Sequence, residues 1–183
     1  ENRLKLYKGF GEKTQQNVIE TIEFYLNNQG SHLYAQVEAV EPQITAYLQK
    51  LFLPENVVLT GNYKRHLEIV DELEYVVIST IDQIKPKFQS AQPPELLEET
   101  PNSLLYKLLN GLKLRLYTGV DNYKKTLFET SGSKEFITAF KSICGEPDYK
   151  KIKPDDDIAF YSGAGINFIP SYLRETAKII ELA

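Results

Sequence analysis

The chain contains no tryptophan and no methionine, and among its 183 residues it has one cysteine and two histidines. The single cysteine, Cys144, cannot form a disulfide within the chain and suggests a reducing compartment. We therefore expect the protein in the cytoplasm. His32 and His66 belong to no cluster with zinc-ligand spacing, which argues against a structural zinc site. Cys144 has no histidine near it in sequence, so we expect a small buried residue rather than a nucleophile.

Long apolar runs and an excess of positive charge are also missing. No apolar stretch approaches the length of a membrane-spanning helix, and no signal-peptide pattern opens the chain. The formal net charge is -4, which argues against a strongly basic nucleic-acid binder, although local basic patches form on acidic proteins too. The chain begins without methionine and stops just after an amphipathic run, and this favours a fragment of a longer protein.

Local patterns, with helices first and mixed strands and helices afterwards, predict an α+β or α/β chain with a small mixed sheet, and we expect α+β. The apolar spacing predicts a helix over residues 33–51, with Pro42 in its first turn or at a kink. Buried strands are predicted over residues 57–60 and 69–79. Further predictions are a hairpin with a type I′ turn at Asn110-Gly111, helices over 123–128 and 133–143, a short strand over 158–161, and a helical remainder from Pro170.

A glycine turn near the start is the first candidate site. Gly9-Phe10-Gly11 is followed by Lys13, Thr14 and an apolar spacing typical of a helix. Backbone N–H groups at such a helix N-terminus have no intrahelical acceptor, so they and the helix dipole can bind phosphate oxygens. A plain helix-entry turn produces the same short pattern.

The second candidate site combines glycine, cations and carboxylates. A predicted strand ends at Gly61, the basic pair Lys64-Arg65 follows, and Glu72 and Glu74 share one face of the next strand because side chains alternate along a strand. Glycine lets backbone amides approach phosphates, basic side chains add charge, and paired carboxylates hold Mg²⁺. Two acidic residues on one strand face are more often a solvated edge.

In order and spacing, these motifs resemble the family X DNA polymerases. That family carries a helix-hairpin-helix turn of the type Gly-x-Gly-x-Lys-Thr, then Gly-Ser-x-Arg-Arg-x-x-Glu and Asp-x-Asp. Residues 9–14 match the turn and residues 61–68 match the second motif. Residues 130–134 resemble the family's Thr-Gly-Ser-Lys segment beside the nucleotide. Residues 169–175 resemble the Ile-Pro-x-x-Leu-Arg-Glu stretch that closes the bacterial polymerase core.

The resemblance implies an organisation and a set of site residues. It implies helix-hairpin-helix and fingers-like helices in residues 1–52, a nucleotidyltransferase palm with a small mixed sheet in 53–119, and a thumb-like subdomain contacting nucleotide and DNA in 120–183. The implied DNA contacts are Gly9, Gly11, Lys13 and Thr14. The implied nucleotide contacts are Gly61, Asn62, Lys64, Arg65, Gly132, Ser133 and Lys134. We expect a basic groove lined by Lys64, Arg65, Lys124, Lys125 and Lys134.

The chain departs from the family where the metals should bind. Glu72 and Glu74 replace the Asp pair, and the added methylene displaces each carboxylate, which a site with two ions about 4 Å apart tolerates poorly. Arg115 stands where the third Asp is expected; a guanidinium there repels Mg²⁺ and could pair with Glu72 or Glu74. Four further family positions also differ, with Asn62 for Ser, Lys64 for Arg, and Glu129-Thr130 for a Tyr-Phe pair.

Three functions follow as hypotheses. The first is a DNA-binding core of a DNA repair protein that has lost polymerase activity, acts on gapped or primer-template DNA, needs no cofactor, and is fused to a phosphoesterase or nuclease domain. The second is an active Mg²⁺-dependent DNA polymerase that fills short gaps, with Glu72 and Glu74 holding the metals. The third is a non-catalytic protein-interaction scaffold.

Most of the twelve tyrosines are expected in packing, and only a few could stack on bases.

Overall fold

The computed structural model describes residues 32–89, 93–150 and 158–183, which all belong to one compact unit, His32–Ala183. Gly9, Gly11, Lys13 and Thr14 lie outside the described residues, so the DNA-contacting turn stays a prediction. No helix in the described part of the chain combines the length and apolar character that crossing a bilayer requires.

A mixed sheet forms the centre of an α+β fold, as the sequence patterns predicted. Its five strands lie in the order β2-β4-β7-β6-β5. Only the β4–β7 pair is parallel, and the other neighbours are antiparallel. Strands β1 and β3 form a separate antiparallel pair. The strands are β1 (His32–Leu33), β2 (Val57–Thr60), β3 (Ile69–Val70), β4 (Glu72–Val77), β5 (Glu95–Thr100), β6 (Ser103–Lys107) and β7 (Lys113–Thr118).

Short helices cover and connect these strands. The longest two, α2 and α6, each have an amphipathic pattern, and α6 begins at an N-cap serine, Ser133, whose Oγ accepts a hydrogen bond from the Phe136 N–H. The helices are α1 (Tyr34–Glu38), α2 (Glu41–Phe52), α3 (Gly61–Lys64), α4 (Ile81–Ile84), α5 (Tyr123–Thr130), α6 (Lys134–Cys144), α7 (Ala159–Ser162) and α8 (Lys178–Glu181), with 3₁₀ turns at Pro54–Asn56, Lys85–Phe88 and Ser171–Leu173.

Two hydrophobic clusters hold the unit together. The first lies along the sheet and includes Leu73 and Tyr75 of β4, both fully buried. The second is rich in aromatic rings, with Phe128, Phe136 and Phe140 in contact through tilted and edge-to-face pairs. Glu72 and Glu74 keep partial exposure because they lie on the strand face opposite Leu73 and Tyr75.

The predicted helix over residues 33–51 is two helices. Helix α1 ends at Glu38 and α2 begins at Glu41. Pro42 lies in the first turn of α2, where its missing N–H has no helical acceptor to lose, so it starts a helix rather than kinking one.

The predicted type I′ turn at Asn110-Gly111 is wrong in detail. The Leu108 N–H donates to the Leu112 carbonyl, so the hairpin loop between them has three residues. Type I′ needs positive φ at both central residues, but only Gly111 has it, at 86°. Asn110 instead accepts a hydrogen bond from the Leu112 N–H through Oδ1, a local bond typical of asparagine in turns.

Two predictions near the end of the chain are also wrong. The segment predicted as a strand over 158–161 contains helix α7, and Phe160 and Tyr161 are buried in the aromatic cluster. From Pro170 onward the chain is not continuously helical but contains a 3₁₀ turn and the four-residue α8. Continuous apolar residues do not distinguish a short buried helix from a strand, which explains the first error.

Candidate functional site

The parallel pairing of β4 with β7 brings the three predicted catalytic positions side by side. Glu74 pairs in register with Arg115, and Glu72 lies two residues earlier on the same face of β4. Glu98 of the edge strand β5 reaches the same group from the other side. We call Glu72, Glu74, Glu98 and Arg115 the carboxylate face.

Arg115 binds two carboxylates of this face. Its Nε donates to Glu72 Oε2 in a short contact, and its Nη2 lies 3.1 Å from Glu72 Oε1, so the pair is bidentate. Nη1 lies 3.3 Å from Glu98 Oε1 and 3.3 Å from Ser103 Oγ. The side chains of Arg115 and Glu72 are 15% and 22% exposed. Hydrogen bonding to Glu72 raises the pKa of the Arg115 guanidinium above its ordinary value.

Glu74 has a different environment. Its Oε1 accepts the Asn62 backbone N–H at 3.0 Å and its Oε2 accepts the Tyr117 hydroxyl at 2.8 Å. Burial raises the pKa of the Glu74 carboxyl, the charge of Glu72 adds to the rise, and the two hydrogen bonds oppose it. Gly61 is packed against this carboxylate: a Cβ at its φ of +73° would lie 2.0 Å from Glu74 Oε1. Glycine is therefore required at the end of β2.

A second group of predicted residues surrounds Arg65. Its Nη2 donates to Asn62 Oδ1 at 2.8 Å, its Nη1 to the Gly132 carbonyl at 3.2 Å, and its Nε to Glu175 Oε1 at 2.5 Å. Ser133 joins the same place, because its Oγ donates to the Glu175 carbonyl at 2.6 Å. We call these five residues the Arg65 junction.

The other predicted cations lie on neighbouring elements. Lys64 ends α3, and Lys134 opens α6 as an exposed residue directly after Ser133. Lys124 and Lys125 lie on α5, where Lys124 Nζ is 5.9 Å from the Tyr123 ring centroid and Lys125 Nζ is 3.9 Å from Glu129 Oε1. Their roles in a basic groove stay predictions.

The carboxylate face fits a magnesium centre poorly. In the described ranges there is no group of three or more His, Cys, Asp or Glu residues arranged to hold a metal ion. The Glu72 oxygens are bound to a guanidinium, and both Glu74 oxygens accept hydrogen bonds. A two-metal centre needs carboxylates converging on the ions, whereas here a positive charge lies among them.

Several residues of these sites were not predicted. Glu98 and Ser103 belong to the β5–β6 hairpin, and β5 escaped notice because a bulge between Leu96 and Glu98 breaks its alternation. Arg174 is fully buried, with its Nε donating to the Ile169 carbonyl and its Nη1 to Ser131 Oγ, both at 2.7 Å. Arg174 belongs to the segment 169–175 that resembles the Ile-Pro-x-x-Leu-Arg-Glu stretch, but its local sequence gives no signal of burial.

A scan against protein-family models finds no match, and a search of curated proteins finds none either.

Proposed function

We propose that this chain is a DNA-binding core of the family X polymerase type in which nucleotidyl transfer has been lost. The observation that carries the proposal is the register of β4 and β7, which puts Arg115 beside Glu74 and in a bidentate pair with Glu72. In the family, three carboxylates at these positions hold two metal ions. Here the third position supplies a positive charge that one of the remaining carboxylates already binds.

The order of strands and site residues supports the family half of the proposal. A strand ends at a glycine that starts a short helix, and the next long strand places two carboxylates on one face. A parallel strand then supplies the third position. The segments matching the polymerase motifs around Arg65, Gly132 and Glu175 meet at the Arg65 junction, although they are far apart in sequence. In this proposal the core holds gapped DNA for a neighbouring nuclease domain.

The alternative is an active Mg²⁺-dependent gap-filling polymerase, and a further one is a protein-interaction scaffold. The ion pair between Arg115 and Glu72 argues against an active polymerase, because metal binding by Glu72 would require that pair to break. Salt separates DNA binding from a scaffold role, since contacts to phosphates weaken steeply as salt concentration rises.

The test is titration of this chain with a fluorescently labelled gapped duplex, with dNTP and Mg²⁺ present, while primer extension is followed in the same samples. We expect salt-dependent binding and no extension. Extension by the unmodified chain would overturn the loss of activity, and the absence of binding at low salt would overturn the DNA-binding role.

Reversion sharpens the test. The triple variant Glu72→Asp, Glu74→Asp, Arg115→Asp restores the family's three carboxylates and is expected to gain Mg²⁺-dependent extension. Lys107→Asp, which makes the same charge change at an exposed position of β6, is the matched control and should gain none. A gain with Lys107→Asp alone would show that the Arg115 position is irrelevant.

A further inference from the structure

Four aromatic rings form a continuous contact series beside α3. The rings of Tyr63 and Tyr34 stack with centroids 4.8 Å apart and an interplanar angle of 14°. Tyr34 contacts His66 edge-on at 5.5 Å, and His66 stacks on Tyr172 at 5.9 Å and 17°. We call these four residues the aromatic stack.

The stack runs from the protein interior to solvent. Tyr63 at its inner end is 8% exposed, whereas Tyr172 at its outer end is 52% exposed. His66 has a left-handed backbone, with φ at 60°, which is uncommon for a residue with a side chain. The imidazole ring lies between Tyr34 and Tyr172 and contacts both rings.

Hydrogen bonds attach the segment around Tyr172 to Lys64, which precedes Arg65, and to Ser133 of the Arg65 junction. Ser171, next to Tyr172, donates its hydroxyl to the Lys64 carbonyl at 2.9 Å. The Ser133 N–H donates to the Arg174 carbonyl at 2.8 Å, so the start of α6, with the exposed Lys134, lies against the same segment. The exposed Tyr172 ring thus lies on a segment that is hydrogen-bonded to the Lys64 backbone and to Ser133, which is followed in sequence by the exposed Lys134.

We propose that Tyr172, supported by His66, is a stacking platform for an unpaired base of single-stranded DNA. This rests on the proposed function, because it names the form of DNA that this surface receives. Exposed aromatic rings beside cationic side chains are how proteins bind single strands without reading sequence. A base placed on Tyr172 would extend a series of rings whose inner members are already fixed, so little side-chain ordering would be needed.

The experiment uses a gapped duplex with 2-aminopurine in its single-stranded segment. The chain has no tryptophan, so the emission of this base is observed without overlap. We expect binding to quench it. Tyr172→Ala should weaken binding about five- to a hundredfold, the range for losing one stacked base, and abolish the quenching. Tyr172→Phe retains the ring and should change affinity less than about twofold.

Two controls separate stacking from charge and folding. Tyr47→Ala removes a ring of similar exposure, 45%, that lies on α2 and contacts Phe88 rather than the aromatic stack. This variant should leave both affinity and quenching unchanged. An abasic strand keeps the phosphates but removes the bases. It should bind the unmodified chain as weakly as Tyr172→Ala binds the normal strand, and combining both changes should add nothing.

The outcomes distinguish the two proposals. If the unmodified chain binds no DNA at low salt, the proposed function and this inference both fail. If gapped DNA binds but Tyr172→Ala and the abasic strand have no effect, only the stacking platform is overturned. A surface that serves protein docking instead would give that second result.

Discussion

The carboxylate face and the Arg65 junction each contain an arginine bound to a glutamate, but the two arginines stand in opposite relations to the polymerase pattern. Arg65 matches a position where the family has arginine, and its contacts join α3 to the start of α6 and to Glu175. Arg115 stands where the polymerase pattern has a carboxylate, and its contacts join β4, β7 and the β5–β6 hairpin. Both arginines have their hydrogen-bonding partners within the protein, although under the proposed function only Arg65 matches the residue type that the polymerase pattern has at its position.

This difference indicates which of the two sites tolerates a change of residue type. On the carboxylate face, a guanidinium lies among the carboxylates, where it can neutralise one of them and hydrogen-bonds to two. The Arg65 junction holds three separate stretches of chain, so its residues have a packing role besides any role in binding phosphate. The following four substitutions test how far the two sites can be separated, from the largest expected effect to the smallest.

Arg115→Ala should lower the free energy of unfolding by about 2–3 kcal/mol, since it leaves the mostly buried Glu72 without its ion-pair partner. Urea denaturation measures this. Lys85→Ala is the matched control, because the Lys85–Glu99 pair is 43% and 42% exposed and should contribute less than about 1 kcal/mol. Equal losses in the two variants would mean that the Arg115 pair does not stabilise the sheet.

Gly61→Ala should destabilise the protein by about 2 kcal/mol, through a left-handed backbone and displacement of the Glu74 carboxylate. Gly111→Ala shares the positive φ but would place its Cβ in open space, so it should cost about 1 kcal/mol. Thermal and urea unfolding of the two variants isolate the steric part of the destabilisation. Equal losses of stability in the two variants would contradict the close approach of Gly61 to Glu74.

Glu175→Gln should lower stability by about 1 kcal/mol, because Arg65 keeps its bonds to Asn62 and Gly132 after losing the charge partner. Glu99→Gln, in an exposed pair, should change stability by less. If Glu175→Gln costs as much as Arg115→Ala, the two sites depend on charge pairing to the same degree and the contrast between them is lost.

Glu74→Gln should change how the free energy of unfolding varies with pH, while leaving the free energy of unfolding at acidic pH nearly unchanged. Burial raises the pKa of Glu74 in the folded protein, so its contribution to stability is fully present below the unfolded pKa and is lost as pH rises through the folded one. The variant lacks this loss and should gain stability relative to the unmodified chain as pH rises from about 4.3. Urea unfolding across that range measures it, with the exposed Glu95→Gln as control, which should follow the unmodified chain.

Much of the fold could be predicted because its signals are local. The strand over residues 57–60 and the helices beginning near Tyr123 and Ser133 agree with the structure, since periodicity and a serine N-cap act over a few residues. The common face of Glu72 and Glu74 likewise follows from strand alternation. The bulged strand β5 was missed because its irregular pairing, rather than its composition, makes it a strand.

The sequence by itself determined which residue types are present at the candidate sites, including the arginine at position 115. It left open whether Arg115 would bind Glu72 or Glu74, because both lie on the same strand face and either fits a guanidinium. Only the tertiary structure decided this: Glu74 is already bound by Asn62 and Tyr117, while Glu72 faces Arg115. Such choices depend on contacts between segments distant in sequence, here the Asn62 and Tyr117 bonds to the register partner of Arg115, which no local pattern encodes.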